Sequence, residues 1–124
     1  MQNSTATATT TVDQTNTALA MGSGNLGVFA TPAMIALMEQ AACAAIAHGL
    51  QEGQSSVGTA ISVQHTAASP VGAQVSATAT ATAVNGRQID FDVVAHCGES
   101  EIGRGTHTRF VIDAARFMEK VNAA

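Results

Sequence analysis

Two periodicities divide the chain. From Pro32 to Leu50 the apolar residues Met34, Ile35, Leu37, Met38, Ala41, Ala42, Ala45 and Ile46 recur at helical spacing. They cover most of the circumference, which predicts one long helix buried on nearly all sides. Thr31 stands where an N-cap belongs, Pro32 suits the first helical position, and Gly49 marks the end. From Val57 onward the period drops to two. Val57, Thr59, Ile61, Val63 and His65 share one face of a strand that Pro70 closes off. Val71, Ala73, Val75, Ala77, Ala79, Ala81 and Ala83 then alternate with Gln74, Ser76, Thr78, Thr80 and Thr82, giving a long strand with one buried face. Asn85-Gly86 is a tight hairpin signal. Beyond it Ile89, Phe91, Val93 and Ala95 alternate with Gln88, Asp90 and Asp92. A turn near Gly98 to Glu101 leads to a last strand from Ile102 to Ile112, and Asp113 to Asn122 suits a short helix.

The N-terminal part is less patterned. Residues 1–11 are a polar Ser/Thr/Ala/Asn run without apolar periodicity, read as a disordered or frayed tail, which leaves residues 12–124 as a single domain. Thr15 to Met21 carries a weak strand signal, and Gly22-Ser23-Gly24-Asn25-Leu26-Gly27 reads as a mobile loop. The order is strand, loop, buried helix and a four-stranded meander. That predicts an α+β fold of the hot-dog kind, an antiparallel sheet of about five strands wrapped around one long helix.

Composition sharpens this picture. Of the 124 residues, 46% are hydrophobic and only 11% charged, and four Phe are the only aromatics. So little charge suggests that part of the outer surface meets another subunit, so a homodimer is expected, with a dimer of dimers left open. The five basic residues are scattered and the net charge is −4, which excludes nucleic-acid binding. The N-terminus lacks the basic and apolar regions of a secretory signal. Glu39 interrupts the most apolar stretch, which argues against a membrane span. The protein is therefore expected in the cytoplasm. Cys43 and Cys97 form no CxxC motif, and the histidines show no metal-ligand spacing, so no metal is expected.

Two polar residues break apolar patterns: Glu39 inside the greasy helix and His65 at the end of a strand face. Titratable groups in such places gather at functional sites. At these residues a resemblance enters. Ala30-Thr31-Pro32-Ala33-Met34-Ile35-Ala36-Leu37-Met38-Glu39 resembles the helix-opening segment of fluoroacetyl-CoA thioesterase-like hot-dog proteins. Ser56-Val57-Gly58-Thr59-Ala60-Ile61-Ser62-Val63-Gln64-His65-Thr66-Ala67-Ala68 is similar to the same family's next strand. Asn85-Gly86-Arg87, Ala95-His96, Ile102-Gly103 and Arg116-Phe117 follow in the family's order, so the likeness spans about residues 20–118.

The resemblance implies an acyl-CoA thioesterase that releases a small free acid and CoA. CoA is then part of the substrate, and no separate cofactor is expected. It implies a catalytic set of Thr31, Glu39 and His65, with Gly58, Phe29 and Arg104 at the substrate. Glu39 would attack the thioester or activate water, His65 would move protons, Thr31 would orient the reacting groups, and Gly58 would offer a backbone N–H. Thr31 and Glu39 are eight residues apart, close to two turns, and so share roughly one side of the helix. Arg104, Arg116 and Lys120 are the candidates for the CoA phosphates. The loop from Gly22 to Val28 holds no aromatic lid, and Phe29 is the only large ring beside it. The alternative reading is a hot-dog module that binds acyl-CoA or another small ligand without turnover.

Overall fold

A computed structural model describes residues 1–124. Five strands form one antiparallel sheet in the order β1-β3-β4-β5-β2, with β1 at Thr5–Thr11, β2 at Gln54–His65, β3 at Gln74–Asn85, β4 at Gln88–Cys97 and β5 at Ser100–Asp113. A short α1 (Ala18–Met21), the long α2 (Thr31–Ile46) and a C-terminal α3 (Ala114–Ala123) complete the chain. The sheet curls around α2, which packs chiefly on β1 and β3.

Residues 5–11 are not a tail. Thr5 to Thr11 pair in register with Thr80 to Gln74, and the hydroxyls of Thr5 and Thr7 meet those of Thr80 and Thr78 at 3.1 and 2.8 Å. β-Branched threonines suit a pleated surface, and cross-strand hydroxyl pairs add to it. Alanine alternating with threonine is a strand pattern whose apolar member is too small to register as one. The strand expected at Thr15 to Met21 is instead a turn and helix α1, with the Thr17 hydroxyl accepting from the Ala20 N–H and Gly22 closing the helix at φ 74°.

Two further expectations change. α2 is buried along one face, at Met34, Leu37, Met38, Ala41, Ala42, Ala45 and Ile46, while Ala36, Gln40, Cys43 and Ala44 are exposed. Its outer face is made of small residues, which is why the sequence looked greasy all round. Thr31 is also no cap: Ala30 holds the N-cap position without a side-chain bond, and Thr31 is the first helical residue.

The strand faces of β2 are shifted by a bulge. Gly58 pairs with Arg109 but Ala60 with Thr108, so Thr59 is an extra residue. Ser56 and Gly58 therefore face α2 before the bulge, and Ile61, Val63 and His65 do so after it. Val57, expected on their face, lies on the other. The core is Phe29, Phe91, the methionines and leucine of α2, and the alternating Val75, Ala77, Ala79 and Ala81 of β3. The three alanines there let helix and sheet approach closely.

Candidate active site

Two groups of polar side chains lie on the concave side. The first forms where the N-terminus of α2 meets the end of β2. Thr31 Oγ1 is 2.8 Å from His65 Nδ1. Phe29, almost fully buried, sets its ring edge-on to the imidazole at 6.5 Å between centroids. A cavity of about 250 Å³ opens here, lined by Phe29, Thr31 and His65 together with Val28, Ala67 and Ala68. The His65 Nε2 is buried and has no hydrogen-bond partner. Burial pushes the His65 pKa below its ordinary value, because the cation loses solvation.

The second group lies about two turns further along α2. Glu39 Oε2 accepts from Arg109 Nη1 at 3.0 Å. The same guanidinium donates through Nε to the Ser56 hydroxyl at 2.8 Å and through Nη2 to the Ser56 carbonyl at 3.0 Å. His107, only 2% exposed, places Nδ1 2.8 Å from the Ala60 carbonyl, which can only accept, so Nδ1 carries the proton. Its Nε2 then accepts from Arg109 Nη1 at 3.3 Å. Burial, ahead of the nearby Arg109 charge, lowers the His107 pKa and keeps that lone pair free to accept. Its ring also stacks on Phe91 at 5.8 Å.

Gly58 completes this group. A Cβ at residue 58 would fall 2.6 Å from Glu39 Oε2, 3.2 Å from His107 Cε1 and 3.3 Å from Arg109 Nη1. Only glycine lets the strand come this close to the carboxylate. A cavity of about 300 Å³ is lined by Glu39, Gly58, Thr59, Ala60, Ile61 and His107.

Of the expected site residues, the structure thus joins Thr31 to His65 with Phe29 beside them, and joins Glu39 to Gly58. It does not bring Glu39 to His65 within one chain: the eight residues from Thr31 to Glu39 correspond to about 12 Å of helix. Arg104 belongs to neither group. It lies on the opposite face of β5 and is paired with Glu101. Gly103, the residue before it, is the one that faces Met34 of α2. Sequence reasoning missed His107 and Arg109. Both alternate with Thr106, Thr108 and Phe110 and share a strand face with buried Val111, but the rest of that face is Gly103 and Gly105, so no apolar pattern set them off as it set off His65. No three His, Cys, Asp or Glu side chains converge to hold a metal ion.

An antiparallel sheet curled around one helix, with polar groups on its concave side, defines the hot-dog fold. A hot-dog-like protein from Thermanaerovibrio acidaminovorans superposes with a TM-score of 0.87, covering 97% of this chain and 89% of that one at 24% identity, a likeness of fold. Closer relatives narrow the class. The sequence model of FlK, fluoroacetyl-CoA-specific thioesterase, matches residues 12–115. A fluoroacetyl-CoA thioesterase of Streptantibioticus cattleyicolor is 50% identical over 94 residues, 76% of this chain and 68% of that protein. The solved structure of the fluoroacetyl-CoA thioesterase FlK matches with a TM-score of 0.92 at 39% identity, covering 99% of this chain and 96% of that one. The chain belongs to the fluoroacetyl-CoA-specific thioesterase family, a family of thioester hydrolases.

Proposed function

We propose that the protein hydrolyses a small acyl-CoA thioester to the free acid and CoA, as a homodimer whose two copies together build each site. Membership of the family supports the reaction, and cavities of about 250 and 300 Å³ lie at or just below the small end of ligand pockets, which favours a short acyl group. No helix is long and apolar enough to cross a membrane. We assign the enzyme to the cytoplasm, where acyl-CoA thioesters are used.

The observation that carries the reading is the division of the site along β2. Gly58 sits with Glu39 near one end of this edge strand, and His65 sits with Thr31 at the other. Antiparallel pairing of β2 with its own copy, centred between Ile61 and Ser62, sets Gly58 of each copy opposite His65 of the other. Such pairing also covers an exposed edge and the partly exposed Ile61. Each site then holds Glu39, Gly58 and Arg109 from one copy and Thr31 and His65 from the other.

In that assembly Glu39 acts on the thioester carbonyl carbon, directly or through water. The Gly58 N–H and the N-terminus of α2 offset the charge that develops on the carbonyl oxygen. His65, with Nδ1–H donated to Thr31, uses its unpartnered Nε2 to take a proton from water and return it to the departing sulfur. The oxygen of water ends on the acyl carbon, and the C–S bond breaks to release CoA thiol.

Release of CoA thiol from a panel of short acyl-CoA substrates tests the reaction. Glu39→Gln and His65→Ala should each lower it by about 100-fold or more. Refolding the two inactive variants together should restore about a quarter of the wild-type sites, because half the dimers are mixed and each mixed dimer carries one intact site. A mixture with no recovery rejects the shared site. A wild-type protein that binds CoA and hydrolyses no member of the panel rejects the hydrolase and leaves a binding module.

A further inference from the structure

β1 stands at one end of the strand order, with β3 on one side and no strand on the other. At its two ends the Ser4 carbonyl accepts from the Ala81 N–H, and the Val12 N–H donates to the Ala73 carbonyl. Even-numbered residues therefore bond to β3, and odd-numbered ones turn their N–H and C=O to the open edge. There the Thr11 carbonyl accepts from Asn16 Nδ2 at 3.1 Å. The backbone of Thr5, Thr7 and Thr9 has no partner within the chain on that side. Open edges are normally guarded by a charge, a proline or a bulge. β1 reads Thr-Ala-Thr-Ala-Thr-Thr-Thr, pairs with β3 without a register shift, and has none of the three. The first charged side chain in the sequence is Asp13.

The helix beside this edge is equally bare. α2 runs along β1 in the opposite direction. Ala33 and Leu37, near its start, line a groove of about 260 Å³ with Thr9 and Thr10, and His48, just past its end, lies 3.4 Å from the Ser4 hydroxyl. Ala36 and Gln40 line the same groove, and Ala44 and Ala47 continue their row at helical spacing, all four exposed and uncharged. α2 packs on β1 and β3 alike, so its axis lies about half a strand spacing inside the edge. A second copy joined at β1 brings the two α2 axes to about 10 Å, a distance at which helices pack. There is also surface to spare. The chain exposes 6963 Å², about 800 Å² beyond the roughly 6,200 Å² expected of a compact monomer of its 12.5 kDa. A stable interface takes about 800 Å² from each partner.

We propose that the β1 edge binds the β1 edge of a second copy, antiparallel about a twofold axis at Thr7. Thr7 then faces its own counterpart, and Thr5 of each copy faces Thr9 of the other, each pair exchanging both N–H···O=C bonds. This register uses the N–H and C=O of all three open residues and stops short of Thr11, whose carbonyl Asn16 holds. Ala6 and Ala8 oppose one another on the α2 side, where no larger side chain stands between the strands. Asn3, at φ 68°, turns each strand away where the other's contact with Asn16 begins. Both surfaces are uncharged, so copies of net charge −4 meet here without setting like charges together. Pairing at β1 leaves the β2 edge, Glu39 and His65 untouched, and so stands apart from the reaction and the dimer proposed above.

Sedimentation of the full chain over a concentration series tests it. Thr7→Pro removes an N–H that bonds to nothing within the chain, so the ladder to β3 is kept while the edge is blocked. Wild type should sediment with at least about twice the mass of this variant, whether or not the β2 edges also pair. Thr7→Lys and Thr7→Glu set like charges opposite one another across the axis and should each match the proline variant, while their mixture should regain the wild-type mass. Equal masses for wild type and Thr7→Pro overturn the proposal. Dissociation of both charge variants without recovery on mixing overturns the register centred on Thr7. If a melting curve shows that Thr7→Pro no longer folds, the two charge variants decide alone, because the Thr7 side chain is exposed.

Discussion

Around Glu39 the donors and acceptors find partners: Arg109 is shared between Glu39, His107 and both oxygens of Ser56, and His107 is anchored to the Ala60 carbonyl. Around His65 one ring nitrogen meets Thr31 and the other is buried with no partner. A saturated network holds charge in place, since every movement costs a hydrogen bond. An unpartnered lone pair stays available for a proton. In the proposed reaction the first region would hold the Glu39 carboxylate in position and the second would move the proton.

Four variants or conditions press on that contrast. Gly58→Ala strikes the still region hardest. Its Cβ would fall 2.6 Å from the Glu39 carboxylate oxygen, the movable end of a side chain that is 41% exposed. The fold should survive while misplacement of the carboxylate lowers kcat/KM by about 100-fold. A melting curve beside the assay checks that the two separate. Arg109→Met removes the centre of the network and leaves Ser56 and His107 short of partners. It should lower stability by about 2–3 kcal/mol, roughly 10 °C in Tm, as well as activity. An unchanged Tm would show that the network positions Glu39 without supporting the fold.

The pH dependence of stability compares the two histidines. Burial lowers the folded pKa of both His65 and His107 below the unfolded value of about 6.5. The unfolded chain therefore binds protons first as the pH falls. Their contribution is complete above about pH 6.5 and is lost as pH drops below it toward the folded pKa values. Tm should fall by a few degrees between pH 7.5 and 5.5, and His107→Asn should flatten that slope more than His65→Asn. The smallest effect on the fold belongs to Thr31→Ala. Because Thr31 caps nothing, stability should change by less than about 0.5 kcal/mol while kcat/KM drops about 10-fold. A larger loss of stability would show that the contact with His65 braces the start of α2.

The meander, the long helix and its small-residue character were legible because alternation and helical spacing survive in side chains as plain as alanine. Strand β1 was not, since its partner strand supplies the meaning of its Thr-Ala pattern. Glu39 and His65 stood out as polar residues on apolar faces. His107 and Arg109 hid on a strand whose neighbouring positions are themselves Thr, so no apolar run surrounded them to be interrupted. The separation of Glu39 from His65 was beyond the sequence because it depends on how α2 crosses β2. Spacing along one helix says nothing about the distance to a residue on a strand.

The bulge at Thr59 splits β2 into two halves written in opposite phase. Before it, even-numbered residues look toward α2; after it, odd-numbered ones do. Ser56 and Gly58 belong to one frame, Ile61, Val63 and His65 to the other, and a single residue keeps both inventories on the same side. What evolution must preserve at position 59 is accordingly a count more than a side chain. A substitution there costs the fold little because the residue is exposed, whereas losing or gaining one residue would turn half the strand over at once.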